Sequence, residues 1–366
     1  MSAVMTEATP SAADAAVASM QELFERQRKA FLDDLPVSAD LRRDRLSRAI
    51  AMLVDHQDGL CEAMRADFGH RPVDLSKFAD VVGSVTALRH ARSHVRRWMK
   101  PDRRPVRFPL GLIGARARIE YQPKGVVGII SPWNFPVAMS FQPLAGAFAA
   151  GNRVMLKPSE ATPATSDLMA RLVAEHFDET EFTVVTGGPE VGIAFSQLPF
   201  DHLFFTGSTT VGRHIMRAAA DNLTPVTLEL GGKSPAIIGS GADIEQAAER
   251  IALGKMMNAG QVCLAPDYVL VPEAEQSRFV DALKARVQSM YPQAAGNDDY
   301  TMVINDRHAD RIRGLVKEAT EAGAEVINAQ PTHEDGADRR IPLTLVLNPD
   351  EELGVMREEI FGPILP

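Results

Sequence analysis

Five short apolar runs alternate with helical segments between residues 125 and 230, and this alternation constrains the fold more than any other feature. The runs are GVVGIIS (125–131), RVMLK (153–157), FTVVTG (182–187), HLFFTG (202–207) and PVTLEL (225–230). Nearly continuous apolar strands separated by helices are typical of a parallel sheet that is covered on both faces. The sequence therefore predicts an α/β fold that contains a five-stranded parallel sheet of the Rossmann type.

Polar segments follow or close every one of these runs. They are PWNFP after the first run, KPSE at the second, Gly187-Gly188 after the third, GSTTVG at the fourth and Glu229 at the end of the fifth. In open parallel sheets, ligands bind outside the carboxyl ends of the strands. These segments therefore mark a candidate binding edge.

The segment Gly207–Gly212 (GSTTVG) joins a strand to a helix, where backbone N–H groups could receive a pyrophosphate. The alternative is a tight β–α turn without a ligand. At the end of the second run, Lys157 and Glu160 could hold an adenosine ribose, with the lysine donating and the carboxylate accepting hydrogen bonds. A helix-capping turn at Ser159 explains the same residues without a cofactor.

A second stretch, Thr227–Asp267, carries a carboxylate and a thiol, each close to glycine. Glu229 precedes Gly231-Gly232, and Cys263 ends the sequence Gly-Gln-Val-Cys. Thiol-based acyl chemistry uses a cysteine thiolate assisted by a base within reach. Asn134 adds an uncharged amide that suits a developing oxyanion. The alternatives are a buried structural carboxylate, a buried structural cysteine and a turn asparagine.

Composition limits the class of protein and its compartment. With 366 residues the chain is longer than one hydrophobic core usually serves, so we expect at least two domains. A net charge of −9 argues against general nucleic-acid binding, and the basic stretch Arg89–Arg107 is interpreted as a helix end and a linker. The two cysteines, Cys61 and Cys263, predict neither a disulfide framework nor a metal site.

The sequence also indicates a compartment. Met1–Met20 lacks the pattern of a secretory signal, and no apolar stretch has the ~20 residues that span a bilayer. We therefore expect a cytoplasmic protein.

The pattern divides the chain into five segments. They are a disordered N-terminus (1–20), N-terminal helices of the cofactor domain (21–107), an exposed strand pair (108–124), a dinucleotide-binding domain (125–231) and a second α/β domain (232–366). The second domain is predicted to be incomplete, because the chain stops in the apolar run EEIFGPILP. Ile360, Phe361, Ile364 and Leu365 are therefore expected to expose apolar surface and to lower solubility.

Six motifs occur in a fixed order: PWNFP, KPSE, FTGST, ELGGKSP, GQVCLAPD and EEIFGP. From about Phe24 to its end the chain resembles the aldehyde dehydrogenase superfamily, and in particular its class 3 branch, which includes coniferyl aldehyde dehydrogenases. The resemblance implies that Cys263 is the nucleophile, Glu229 the general base and Asn134 the oxyanion donor. It also implies cofactor contacts at Trp133, Lys157, Glu160, Gly188, Gly207, Ser208, Val211, Gly212, Glu359 and Phe361.

The resemblance further implies an activity and an assembly. The activity is NAD(P)-dependent oxidation of an aromatic or medium-chain aldehyde to the acid, with NAD favoured and NADP admitted. Members of the family continue beyond EEIFGP and add a strand that is used in oligomerisation, so segment 108–124 is expected to be the oligomerisation strand pair of a full-length homodimer. This chain, which lacks the partner strand, is expected not to assemble in that way. Two alternatives stay open: a relative that forms an acyl-coenzyme A or acyl phosphate, and a catalytically silent nucleotide-binding fragment. Glu229 favours hydrolysis over the first alternative.

Overall fold

A computed structural model describes residues 12–331 and 338–366, which form two compact units. The first unit comprises residues up to Leu60 together with Ala79–Glu229. The second unit comprises Cys61–Phe78 and Leu230–Pro366. The division after Glu229 lies beside the Gly231-Gly232 pair at which the sequence pattern changes.

Helices fill the N-terminal part of the chain. They are α1 (Ala12–Asp33), α2 (Ala39–Asp55), α3 (Gln57–Phe68), α4 (Val73–Leu75), a π-helical segment (Ser76–Val82) and α5 (Gly83–Trp98). The Ser38 side chain accepts a hydrogen bond from Leu41 N–H and caps α2. The prediction of a disordered segment 1–20 is wrong for residues 12–20, which belong to α1, while residues 1–11 lie outside the described part.

A small antiparallel sheet follows, and it corrects the prediction for 108–124. Strand β1 (Asp102–Arg104) pairs with β2 (Ala117–Ile119), so one partner comes from the segment that the sequence presents as a linker. Between them a short 3-10 helix spans Leu110–Ile113. All three residues of β2 are exposed, so only the predicted exposure of this strand pair is confirmed.

The predicted five-stranded sheet is confirmed. Its strands are β3 (Val126–Ile130), β4 (Arg153–Lys157), β5 (Phe182–Val184), β6 (His202–Gly207) and β7 (Val226–Leu230), in the order β5-β4-β3-β6-β7. The connecting helices are α6 (Ala138–Ala150), α7 (Pro163–His176), α8 (Pro189–Ser196) and α9 (Thr209–Asp221). Strand β4 is buried at all five positions, as expected for a central parallel strand covered on both faces.

Aromatic residues fill the space between this sheet and its helices. The Phe182 ring lies 6.2 Å from Phe141, 5.7 Å from Phe148 and 5.4 Å from Phe177, each time edge to face. Such pairs add about 0.5–1.5 kcal/mol each beyond their buried area. This cluster fixes α6 and the end of α7 against the sheet.

The second unit is also α/β. Its elements are β8 (Pro235–Ile237), α10 (Ile244–Met256), a 3-10 turn (Met257–Gly260), β9 (Tyr268–Leu270), α11 (Gln276–Met290), α12 (Asp306–Glu321), β10 (Glu325–Asn328), β11 (Thr344–Leu347), α13 (Gly354–Arg357) and β12 (Ile364–Leu365). Strands β8 and β9 pair in parallel. The other three strands form a sheet in the order β10-β11-β12.

The apolar residues near Pro366 are not exposed, so that expectation is wrong. Ile360 and Ile364 have 0% exposure, Leu365 has 2%, and Phe361 is half-buried. The reason is that β12 pairs in parallel with β11, which places Ile364 and Leu365 beside Thr344 and Leu345. Ile360 and Ile364 then pack with residues of α12, and Leu365 packs with α10 and α11.

Candidate active site

The candidate residues fall into two groups, one on each unit. On the first unit, the cofactor candidates lie at the carboxyl ends of strands, as the sequence predicts. Gly188 and Ser208 are the N-cap residues of α8 and α9. Ser131 N–H donates to the Lys157 carbonyl oxygen at 3.1 Å and joins the ends of β3 and β4.

Lys157 is a buried lysine at this edge. Its Nζ donates to the Pro158 carbonyl oxygen at 2.8 Å and lies 3.8 Å from a carboxylate oxygen of Glu160. Burial lowers the pKa of Lys157 from its ordinary value, and the carboxylates of Glu160 and Glu190 offset part of that effect. The Glu160 side chain is 53% exposed, so its carboxylate remains accessible to a ligand.

The GSTTVG segment forms a helix start. Ser208 Oγ accepts from Val211 N–H at 3.4 Å, and the Ser208 carbonyl oxygen accepts from Gly212 N–H at 2.9 Å. A Cβ at Gly207 would lie 2.6 Å from the Phe205 ring, so packing alone accounts for that glycine. The N-terminus of α9, a helix of 13 residues, favours an anion through its dipole and its first-turn N–H groups.

Asn134 lies in the loop between β3 and α6, where it is 5% exposed and its neighbour Trp133 is half-buried. Asp80 fixes this loop, because its Oδ1 accepts from Val137 N–H and Ala138 N–H, each at 3.0 Å. Sequence reasoning missed Asp80, since it lies more than 50 residues upstream and carries no local capping signal. These bonds fix the backbone three and four residues after Asn134.

Glu229 is the exposed penultimate residue of β7. It is therefore not the buried structural carboxylate that the sequence left as an alternative. Its carboxylate faces solvent at the same end of the sheet as the other strand termini.

On the second unit, Cys263 is exposed, so the reading as a buried structural cysteine is wrong. A turn presents it, since Ala265 N–H donates to the Val262 carbonyl oxygen at 3.0 Å. Cys61, in contrast, is 1% exposed within α3, as expected of a packing residue. An accessible thiol is a requirement for a nucleophile.

Gln261 anchors this turn, and sequence reasoning assigned it no role. Its Nε2 donates to the carbonyl oxygens of Asn258 at 2.9 Å and Met302 at 3.1 Å. Its Oε1 accepts from Ile304 N–H at 2.9 Å. Gln261 has 0% exposure, and its three hydrogen bonds, two of them fully buried, hold the backbone two residues before Cys263.

The backbone before Gln261 is left-handed, with φ values of 50° at Asn258, 54° at Ala259 and 74° at Gly260. A Cβ at Gly260 would lie 2.4 Å from the carbonyl oxygen of Gly362. This position therefore requires glycine on two grounds, the positive φ and the close approach of another backbone segment.

Glu359 lies against the Gly231-Gly232 pair. A Cβ at Gly231 would lie 1.8 Å from the Glu359 carboxylate, which also accepts a hydrogen bond from Gly232 N–H. Burial raises the pKa of Glu359, with Asp267 adding to the effect and Arg311 and Lys233 opposing it. Phe361, two residues on, has a φ of 49°.

Lys233, Lys255 and Asp267 lie close enough to Glu359 to interact with its charge. Lys233 Nζ pairs with Asp267 and donates to the carbonyl oxygens of Val355 at 2.8 Å and Glu358 at 3.0 Å. Lys255 has 0% exposure, and its Nζ lacks a hydrogen-bond partner among the described residues. Sequence reasoning missed Lys255, although a lysine within an apolar helical row is a signal of unusual burial.

The residues present fit a nicotinamide dinucleotide. The N-terminus of α9 suits a pyrophosphate, and the accessible Glu160 carboxylate beside Lys157 suits ribose hydroxyls. A parallel sheet with this polar edge on the first unit, and an exposed cysteine on the second unit, are features that a dinucleotide-dependent oxidoreductase with a cysteine nucleophile requires.

Comparison with known proteins identifies the family. The sequence matches the aldehyde dehydrogenase family over residues 2–366, and the chain belongs to that family. It is 51% identical over 346 residues to the coniferyl aldehyde dehydrogenase of Pseudomonas sp. strain HR199, covering 94% of this chain and 71% of the relative. It is 35% identical to "aldehyde dehydrogenase, dimeric NADP-preferring" of Rattus norvegicus over 354 residues, covering 96% of this chain and 75% of the relative.

A solved structure gives the same result. The substrate-bound state of Staphylococcus aureus AldH superposes with a TM-score of 0.88 at 35% identity, covering 95% of this chain and 74% of that one. The predicted fold class is thereby confirmed, and so is NAD(P)-dependent oxidation of an aldehyde as the function. Among the residues that the structure describes, no helix has the length and apolar character to cross a membrane.

Proposed function

We propose that the chain oxidises an aromatic aldehyde of the coniferyl type to its carboxylic acid. The observation that carries the proposal is the exposed Cys263 in a turn that the buried Gln261 side chain holds by three hydrogen bonds. The substrate class is supported by the 51% identity to a coniferyl aldehyde dehydrogenase. The first unit would bind the cofactor, and the second unit would supply the nucleophile.

In the proposed mechanism, the Cys263 thiolate attacks the aldehyde carbon and the carbonyl oxygen becomes an oxyanion. The Asn134 amide stabilises that charge, and one such donor is worth about 3–4 kcal/mol. NAD(P), when bound, supplies the acceptor for the hydride that leaves the carbon, which turns the adduct into a thioester. Glu229 then takes a proton from the water that cleaves the thioester, releasing the acid and regenerating the thiol.

We propose NAD as the preferred cofactor, with NADP also accepted. Lys157, Glu160, Gly188 and the segment Gly207–Gly212, which includes Ser208 and Val211, would contact the adenosine and pyrophosphate. Trp133, Glu359 and Phe361 would contact the nicotinamide half. A carboxylate such as Glu160 can accept from a ribose 2′-hydroxyl but repels a 2′-phosphate. Lys157, 3.8 Å from that carboxylate, offsets part of the repulsion.

We also propose that the protein forms a homodimer and is cytoplasmic. Support for the dimer comes from the exposed apolar side chains around β2 and from the relative that is named as dimeric. Support for the compartment comes from the cysteine content, since a chain with two cysteines has no disulfide framework of the kind found in secreted proteins.

The test compares Cys263→Ala with Cys61→Ala in assays with coniferyl aldehyde and NAD or NADP. Cys263→Ala should lose turnover, because the acyl intermediate cannot form, while nucleotide binding by calorimetry stays near the level of the unaltered chain. Cys61→Ala should keep its activity. Comparable aldehyde oxidation by Cys263→Ala would falsify the assigned nucleophile.

Glu229→Gln separates the two halves of the reaction. It should retain a pre-steady-state burst of NADH but lose steady-state rate by roughly 10²–10⁴, the usual worth of a positioned base. Equal loss of both phases would remove Glu229 from deacylation. Formation of an acyl-coenzyme A product when coenzyme A is added would instead point to the acylating relatives.

A further inference from the structure

Two imidazoles and a carboxylate form a cluster on the first unit, away from the sheet edge. The candidate ligand atoms of His56, Glu175 and His176 all lie within 4.8 Å of one another. His56 is the C-cap residue of α2, at the junction with α3, and its backbone N–H donates to the Met52 carbonyl oxygen. Glu175 and His176 are the last two residues of α7.

The His176 ring is held by a hydrogen bond to the backbone of its own helix. Its Nδ1 lies 2.8 Å from the Leu172 carbonyl oxygen. A carbonyl oxygen can only accept, so Nδ1 carries the proton, which leaves Nε2 as the nitrogen of the neutral ring that can bind a metal. A backbone carbonyl bonded to the other ring nitrogen is the usual partner that fixes the tautomer of a ligating histidine. The His56 ring stands perpendicular to it, with centroids 5.6 Å apart.

The surroundings hold the cluster without opposing a cation. Arg48 donates to the His176 carbonyl oxygen at 3.0 Å and its guanidinium lies 4.6 Å from the Phe177 ring centroid. Its charge is engaged by Asp44 at 2.8 Å and Glu181 at 2.9 Å. Both histidines are half-buried and Glu175 is exposed, so the carboxylate has the most freedom to adjust, while the Leu172 hydrogen bond holds the His176 ring.

We propose that His56, Glu175 and His176 bind a divalent transition-metal ion, with zinc as the best match. Two imidazole nitrogens and one carboxylate oxygen are a common zinc donor set, with water in the fourth position. Ligand atoms ~2.1 Å from a tetrahedral ion stand about 3.4 Å apart. Small rotations of the exposed Glu175 side chain and of the half-buried His56 ring would bring the three ligand atoms from their present separations, all within 4.8 Å, to this spacing.

The site is separate from the candidate cofactor edge. Helix α7 has 14 residues and is therefore about 21 Å long. It begins three residues after Glu160 and ends at His176, so the metal cluster lies at the opposite end of the helix. A bound ion would join the α2–α3 junction to the end of α7. Its role would be to stabilise the fold and not to take part in catalysis.

The experiment titrates ZnCl2 into the EDTA-treated chain carrying Cys263→Ala, because the exposed thiol would itself bind zinc. Calorimetry should show one equivalent bound with micromolar affinity, and the melting temperature should rise with zinc. His56→Gln, His176→Gln and Glu175→Gln should each weaken binding by at least about tenfold. Melting without zinc establishes that each variant is folded.

The matched control is the double variant His90→Gln and His94→Gln, which removes a stacked pair with ring centroids 4.1 Å apart, one ring on an exposed and one on a half-buried residue. It should bind zinc like the parent. The proposal is overturned if the three cluster variants keep the parent affinity, if the His90 and His94 control loses it, or if zinc binds only in the millimolar range. Cobalt(II) offers a second readout, since a tetrahedral site gives intense visible bands that the cluster variants should lose.

Discussion

Lys255 is the residue whose environment departs most from that of an ordinary lysine. Burial lowers its pKa from 10.5 to about 8; Lys233 adds to the effect, while Asp267 and Glu359 oppose it. The unfolded chain therefore holds a proton between pH 8 and pH 10.5 that the folded chain has already released. Below pH 8 the folded chain bears the full free-energy cost of burying the charged Lys255 side chain. This cost disappears as the pH rises to 10.5, so the free energy of unfolding increases across this window.

We predict that Lys255→Met removes this pH dependence. A shift from 10.5 to about 8 corresponds to roughly 3 kcal/mol, so the free energy of unfolding of the unaltered chain should rise by about that much across this window relative to the variant. Urea unfolding at pH 7.5, 9 and 10.5 measures it. Lys317→Met, at a side chain that is 75% exposed, is the control and should run parallel to the unaltered chain. If the free energy of unfolding of Lys255→Met followed the same pH dependence as that of the unaltered chain, the pKa of Lys255 would not be lowered by folding.

Glu160 carries the second prediction at this scale. Glu160→Gln should raise kcat/KM for NADP relative to NAD by about tenfold, because the neutral amide no longer repels a 2′-phosphate. Steady-state kinetics with both cofactors measure the ratio. Glu179→Gln is the control, since its carboxylate is 51% exposed against 53% for Glu160 and pairs with Arg26 instead of Lys157. An unchanged ratio for Glu160→Gln would remove this residue from cofactor selection.

Among the elements, the turn that leads to Cys263 depends on one glycine. Gly260→Ala should lower the free energy of unfolding by more than about 2 kcal/mol, since it combines a left-handed φ of 74° with a Cβ only 2.4 Å from the Gly362 carbonyl oxygen. Gly241→Ala is the control, with a φ of 82° and no atom within 4 Å of the added Cβ, and should cost only about 1 kcal/mol. Equal losses of stability in the two variants would show that the Gly362 backbone moves away from the added Cβ without lowering the free energy of unfolding.

The elements of the first unit could be predicted from the sequence, but the contacts that hold the Cys263 turn could not. The strands β3 to β7 were predictable because each is a nearly continuous apolar run that a covered parallel sheet requires. The contacts that shape the site were not, because they join distant parts of the chain. Gln261 bonds to Met302 and Ile304, and Asp80 bonds to Val137 and Ala138. Neither pairing leaves a local pattern.

The burial of Ile364 and Leu365 could not be predicted from the sequence either, because it depends on a strand elsewhere in the chain. An apolar run such as Ile364-Leu365 indicates that these side chains need cover, but it does not say which strand supplies the cover. In the structure the cover comes from β11, about 20 residues upstream, through a parallel pairing. Parallel partners require a crossover, so their register cannot be derived from the length of a turn.

For the molecule as a whole, the apolar surface near the antiparallel pair β1–β2 bears on assembly. Phe108, Leu112 and Ile113 are 82%, 78% and 82% exposed, and Ile119 of β2 is 42% exposed. Several large apolar side chains exposed within so short a segment are typical of an interaction surface. Strand β2 also has an edge to which another strand can add.

We therefore predict that the chain is a dimer in solution and that Ile119→Lys shifts it to the monomer. A lysine at this position places like charges near each other if two copies of the strand meet, and it is a residue that blunts exposed strand edges. Light scattering coupled to size-exclusion chromatography, over a tenfold range of concentration, measures the mass. Leu223→Lys, at a side chain that is 89% exposed on another part of the first unit, is the control and should leave the dimer intact. A monomeric mass for the unaltered chain, or a dimer that persists in Ile119→Lys, would show that this surface does not hold the assembly together.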